Sequence, residues 1–292
     1  MNSNADIYES VTLRILECLD KGVVPWRKPW GGAAPRNLSS GHVYKGINQI
    51  LLSCAAFGSP YWMTFKQARA LGGNVKRGER GTPIVFWKVY EKEKANGETD
   101  TRFVLRRFFV FNAEQTEGVY IPKLQEPRAI DPIEDCERIV SSFKDAPTLI
   151  HGGNRACYVP SLDQVQVPQR NAFSSAEEYY STLFHEFIHA TGAAKRLARK
   201  GVTDVKGFSS HEYSYEELIA ECGSAFLCAH AGIAPKTLDN SASYIGFWSK
   251  ALKNDPTWLV RAASAAAKAS DFILGKQWKS EDSEDEDAAK AA

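Results

Sequence analysis

No stretch of this sequence reaches the roughly 20 consecutive apolar residues that a helix needs to cross a bilayer. Its opening residues, MNSNADIYESVTLRI, lack both the basic n-region and the apolar h-region of a secretion signal. A cytoplasmic location without a membrane partner is therefore expected. The six cysteines (Cys18, Cys54, Cys136, Cys157, Cys222 and Cys228) form no CxxC pair, and in a chain of 292 residues they read as reduced thiols. There is no internal repeat. Net charge is almost missing too, at +1, but only by cancellation. Residues 1–125 hold 18 Lys and Arg against 11 Asp and Glu, while the remainder holds 18 against 24. Halves of opposite sign predict two modules with different partners.

The apolar pattern supports an α+β chain of two domains. In the first half, helical spacing covers residues 5–21, 46–57 and 64–71, with Gly72-Gly73 as a stop. Two strand-like runs, PIVFWKVY (83–90) and RFVLRRFFVF (102–111), flank a polar segment containing Asn96-Gly97, which predicts a hairpin. The proline-rich stretch 122–132 reads as a linker. Beyond it, helices are expected over 134–144, 176–190, 214–231, 241–253 and 256–274, with a short strand hairpin over 157–168. The expected domains are 1–125 and 126–279, followed by an acidic, disordered tail at 280–292.

His185-Glu186-Phe187-Ile188-His189 is an HExxH motif on one of those helices. Positions i and i+4 share a face, so both imidazoles can reach one metal ion. Glu186, next to the first ligand, is placed to accept a proton as general base. A zinc-dependent, gluzincin-like metallopeptidase site is the expectation, with Zn2+ as the cofactor. A metzincin would continue to a glycine and a third histidine; Gly192 fits, but Lys195 stands in the histidine's place. The alternative third ligand is a glutamate on the following helix, where Glu217 and Glu221 are one turn apart. The gluzincin pattern assigns Glu217 to the metal and Glu221 to orienting the first histidine. The reverse assignment remains open. Tyr213, Tyr215 and His211 are equally open as groups to stabilise an oxyanion.

The basic half interleaves cations with aromatics: Trp26, Arg27, Lys28, Trp30, Tyr44, Lys45, Trp62, Lys66, Lys76, Arg77 and Arg80. Basic grooves lined with stacking rings grip single-stranded nucleic acid without reading its sequence. The bland alternative is that rings such as Phe86 and Phe108 form a core, as at least half of them should. Residues 72–81 make a basic, glycine-rich loop, but no GKS or GKT follows, which argues against a nucleoside triphosphate.

PWRKPW (25–30), YKGIN (44–48), YWMTFKQA (61–68), residues 72–82, the HExxH helix and EELIAE (216–221) together carry a resemblance. On them the chain is similar to the ArdC-type plasmid antirestriction family over nearly its whole length. That resemblance implies an N-terminal single-stranded-DNA-binding domain and a C-terminal zincin-like peptidase domain. It also implies protection of conjugatively transferred plasmid DNA from host restriction, with single-stranded DNA and a protein substrate as partners. Two rivals stand beside it: a DNA-binding protein with a structural zinc or silent peptidase, and a housekeeping metallopeptidase.

Overall fold

A computed structural model describes residues 4–21, 24–25, 34–55, 57–93, 99–122, 132–204, 211–233 and 242–276. The chain divides into two units, one centred on Ala34–Lys123 with Met1–Glu17, the other on Leu124–Trp278. The architecture is the expected α+β, a sheet-and-hairpin unit followed by a mostly helical one. The expected linker, for the most part, and the acidic tail fall outside the described residues.

In the first unit, helix α1 (Asn4–Asp20) buries Ile7, Val11, Ile15, Leu16 and Leu19, a stripe at helical spacing. The elements that follow are β1 (Arg36–Asn37), α2 (Gly46–Cys54), β2 (Tyr61–Met63), α3 (Phe65–Ala70), β3 (Asn74–Val75), β4 (Thr82–Glu93), β5 (Thr99–Asn112) and β6 (Thr116–Glu117). The main sheet has the order β1-β2-β5-β4, while β3 and β6 pair separately. The Asn4 side chain accepts the Leu105 N–H at 3.0 Å and ties the first turn of α1 to β5.

Strands β4 and β5 pair antiparallel without a break from Thr82↔Val110 to Glu93↔Thr99. They outrun the apolar segments at 83–90 and 102–111 because the ladder is made by main-chain groups, which polar side chains at Glu91 or Thr101 do not interrupt. β4 is the sheet's edge. At Val85 its outward N–H and C=O are met by the Asn48 side chain of α2, which accepts and donates at 2.8 Å each. A side-chain amide there does the work of a neighbouring strand. The core gathers Tyr44, Leu52, Trp62, Ile84 and Val110, with Phe57, Phe86 and Phe108 against it. Thr64 and Gln67 cap α3 reciprocally, which fixes where Phe65 and Lys66 begin the helix.

The second unit runs α4 (Pro132–Ser142), β7 (Thr148–His151), β8 (Cys157–Val159), β9 (Gln164–Val167), α5 (Ala176–Thr191), α6 (Lys200–Thr203), α7 (His211–Ala231), α8 (Ala242–Asn254) and α9 (Trp258–Ile273). The expected hairpin of β8 and β9 gains a third strand, β7, parallel to β9. Four residues with no marked alternation gave no sign of it. Ser175 caps α5 by accepting the Glu178 N–H at 3.3 Å. Helices α5 and α7 pack closely: a Cβ on Gly223 would lie 2.6 Å from Ile188 Cδ1, so only glycine permits this approach. Ser224 Oγ donates to the Ser181 carbonyl at 2.8 Å across the same contact. On its other side α7 meets the small buried residues of α9, among them Ala262, Ala263 and Ala266. No described helix is long and apolar enough to cross a membrane.

Candidate functional site

The close approach of α5 and α7 brings three side chains together. His185 and His189, one turn apart on α5, set their rings 4.8 Å apart with Nε2 atoms at 3.1 Å. Glu217 of α7 places Oε2 at 3.5 Å from His185 Nε2 and Oε1 at 3.3 Å from His189 Nε2. One atom from each lies within 4.8 Å of the others, and the group could hold a metal ion. With bonds of ~2.1 Å, ligand atoms stand about 3.4 Å apart around a tetrahedral ion and about 3.0 Å apart around an octahedral one. The observed spacings span both, so the donor set fits a divalent cation without selecting one.

Behind His189 stands a layer that the sequence did not reveal. Glu216, only 3% exposed, brings Oε1 to 3.4 Å from His189 Nδ1. Its carboxylate is gripped in turn by Arg199, with Nε at 2.9 Å and Nη2 at 2.5 Å. The same guanidinium donates to Thr191 Oγ1 and to the Ile188 carbonyl, both at 2.7 Å. It thus fastens the end of the histidine helix to the start of the glutamate helix. Glu216 thus serves the second histidine, a role separate from the one the gluzincin pattern gives Glu221 at the first. Glu221, one turn past Glu217, is also buried. The adjacency of Glu216 to Glu217 was a weak signal; nothing in the spacing pointed to Arg199.

The charges in this cluster are strongly coupled. Burial opposes a charge on His189, but Glu216 and Glu217 outweigh it and push its pKa up to about 10. Burial likewise works against ionised Glu217, yet His185 and His189 hold its carboxyl well below the usual carboxylate range. Glu216 is also lowered, burial being overcome by Arg199 and His189. Glu186 is buried on α5 and close enough to contribute to the rise at His189.

Two neighbours read differently in three dimensions. Gly192, which fits the metzincin glycine in sequence, follows α5 with φ −75. It is required for space, since a Cβ there would lie 2.4 Å from Val202 Cγ2 and 3.0 Å from Arg199 Nη2. Lys195, in the place of a metzincin's histidine, is bound 2.7 Å from Asp163. Arg196 forks onto the same carboxylate at 2.7 and 2.9 Å and holds Asp163 below its ordinary pKa. Tyr215 packs on Trp258 with ring centroids 5.7 Å apart. The side chains of His211 and Tyr213 lie outside those described.

The candidate nucleic-acid residues separate. Trp26, Arg27, Lys28 and Trp30 lie outside the described residues. Tyr44 and Trp62 are corrected: at 3% and 2% exposed they are core rings with no face open to a base. Tyr44 also receives a hydrogen bond from Asn37 on its hydroxyl. Lys45 is half-buried, whereas Lys66, Lys76, Arg77 and Arg80 are exposed. Lys76 extends to the Glu114 carbonyl at 2.8 Å.

Two family models match parts of the chain. Residues 5–112 match the family model described as the N-terminal domain of anti-restriction factor ArdC. Residues 134–265 match the model described as zincin-like metallopeptidase. A protein named y4eC from Sinorhizobium fredii (strain NBRC 101917 / NGR234) is 36% identical over 93% of this chain and 92% of its own length. A DNA primase TraC from Escherichia coli is 38% identical over 93% of this chain, which spans only 27% of that protein. The crystal structure of antirestriction ArdC from plasmid R388, in its metal-free form, superposes with a TM-score of 0.77 at 36% identity. It covers 94% of this chain and 100% of its own. A second structure of that protein, with TM-score 0.76, is Mn(II)-bound. That finding overturns the expectation of zinc. A mixed imidazole and carboxylate set accepts either ion, and a relative of the same fold carries manganese.

Proposed function

Because the chain belongs to the ArdC antirestriction family, we propose that it binds single-stranded DNA through its N-terminal unit and protects transferred plasmid DNA from restriction. We assign the second unit a divalent-metal centre held by His185, His189 and Glu217. The observation that carries the reading is the end-to-end likeness to ArdC of plasmid R388, which spans both units. The exposed cations Lys66, Lys76, Arg77 and Arg80 support the nucleic-acid half. The priming activity in the name of the much longer TraC relatives is not carried over, since the match covers 27% of that protein.

In this reading the metal centre joins α5 to α7, and Arg199 and Glu216 hold the joint from behind. A second reading, peptide hydrolysis, is favoured by one observation. Glu186 lies buried beside the ligand histidines, where a metal held only for structure calls for no general base. A bound divalent ion would supply Lewis acidity toward an oxygen atom. Glu186 would accept and return a proton, Glu217 would keep the histidines' Nε2 atoms converged, and Glu216 would hold His189 by Nδ1.

The test is conjugative transfer into restricting and non-restricting recipients. Wild type should protect in restricting recipients only, and Glu186→Gln should protect equally well if the metal centre serves the fold. Equal transfer with and without the protein into restricting recipients would remove the antirestriction reading. A general peptidase assay of wild type beside Glu186→Gln decides the second reading separately, since activity lost in the variant would establish hydrolysis.

A further inference from the structure

Large apolar side chains scattered singly over a surface are ordinary. In the first unit three phenylalanines form a continuous track instead. Phe65 opens α3 at 45% exposed, and Phe109 of β5 is 50% exposed. Phe111, two residues beyond Phe109 and so on the same face of the strand, meets Phe65 edge-on with centroids 6.4 Å apart. Gly81 closes the gap between the strand rings. A Cβ there would lie 2.9 Å from Phe109 Cβ and 3.2 Å from Phe111 Cζ, so only glycine leaves both side chains in place. Each end of the track carries a guanidinium: Arg69 lies 5.5 Å over the Phe65 ring, and Arg107 lies 5.4 Å over Phe109. Lys66 and the basic loop of Lys76, Arg77 and Arg80 adjoin it in sequence and are exposed. Among the described residues, none of these six cations is paired with a carboxylate.

Resting on the single-stranded-DNA reading above, we propose that this Phe65–Phe111–Phe109 track, with Arg69 and Arg107 at its ends, is the surface on which the strand's bases stack. Exposed Phe65 and Phe109, joined by half-buried Phe111 and set beside cations without a carboxylate partner, match the two chemistries of such a ligand, an aromatic base and a phosphate on every unit. The spacing selects the strand's form. Stacked bases rise about 3.4 Å each, whereas Phe65 and Phe111 stand 6.4 Å apart. Neighbouring rings therefore take neighbouring bases only when those bases are unstacked, which a single strand allows at little cost and a duplex resists. The track lies wholly in one unit and uses neither Tyr44 nor Trp62, whose burial excludes them.

The experiment uses the full chain and fluorescence anisotropy with labelled oligothymidylate, beside a duplex of equal length. Phe65→Ala and Phe109→Ala should each weaken single-strand binding about 5- to 150-fold, the range for loss of one stacked base. Phe109→Tyr, which keeps a ring, should bind like wild type. The pair Arg69→Gln and Arg107→Gln should lower the slope of log affinity against log salt by about 1.4, or about 0.7 for each phosphate no longer neutralised. Leu162→Ala, an exposed apolar residue of the other unit, should change nothing. Both phenylalanines are half-exposed, so unchanged circular dichroism and melting should accompany the loss. If wild type binds the single strand and both alanine variants bind equally well, this surface is wrong and the broader reading stands. If wild type does not bind, or binds duplex as tightly, both fall together.

Discussion

Replacing Arg199 with methionine offers a direct measure of what holds the proposed metal centre in shape. The substitution keeps most of the side chain's volume and removes the guanidinium that donates twice to Glu216, once to Thr191 and once to the Ile188 carbonyl. Glu216 is left 3% exposed with His189 as its remaining ion-pair partner among the described residues. Removing one partner of a buried ion pair costs about 3–5 kcal/mol, because the survivor's charge stays out of water uncompensated. At roughly 2–4 °C per kcal/mol, the second unit's melting temperature should fall by about 6–20 °C. Urea denaturation followed by tryptophan fluorescence should show the same loss as a lower midpoint at unchanged slope. Arg138→Met is the internal standard. Its pairing with Asp135 on α4 is exposed, at 59% and 38%, and should matter by less than about 1 kcal/mol. Mn(II) affinity should fall about 10- to 100-fold in Arg199→Met, since His189 loses the partner behind its partner. Equal midpoints for the Arg199 and Arg138 variants would refute the claim that Arg199 braces the centre.

Three further outcomes can be checked on the same protein. His185→Ala, His189→Ala and Glu217→Ala should each lose bound Mn(II) by metal analysis, whereas Glu186→Gln should keep it; retention by Glu217→Ala would move the third ligand elsewhere. With its folded pKa raised from 6.5 to about 10, charged His189 stabilises the ion-free fold fully below pH 6.5, and that contribution is lost as pH rises through about 10. Mn(II) added at pH 8 must displace this proton, so calorimetry in buffers of different ionisation enthalpy should report about one proton released per ion and weaker binding at lower pH. Gly223→Ala should cost about 1–3 kcal/mol by forcing α5 from α7 at Ile188, and an unchanged urea midpoint would contradict the close packing.

What the sequence made legible follows from how local each cause is. The i, i+4 spacing of His185 and His189 is a property of a single helix, so their common face could be read without a structure. The α+β division followed from apolar periodicity and from the opposite charge of the two halves. Strand ends were legible only as far as apolar side chains marked them, because main-chain pairing continues past Tyr90 without regard to composition. Arg199 was hidden because its meaning depends on a chain reversal that brings α6 beside α7, and no spacing rule encodes that contact. The aromatics of the first unit posed the opposite difficulty. Trp62 and Phe109 lie in equally basic surroundings in sequence, and only the face of the strand on which each falls makes one core and the other surface.

The position of β5 has a consequence for how the first unit comes into being. It is the last strand of the main sheet to be synthesised, yet it lies in the middle, pairing with β2 on one side and β4 on the other. Asn4 of α1 also waits for Leu105 of this strand. Before β5 leaves the ribosome, β2 and β4 have no shared neighbour, and Trp62 and Ile84 have no Val110 to close over them. About 50 residues separate Trp62 from the end of β5. At about 5–20 residues per second, the nascent chain leaves Trp62 uncovered for roughly 2.5–10 s, and Ile84 for less. The sheet that joins β2 to β4 is thus completed only by its last strand, and that interval is when chaperones or misfolding have their opportunity.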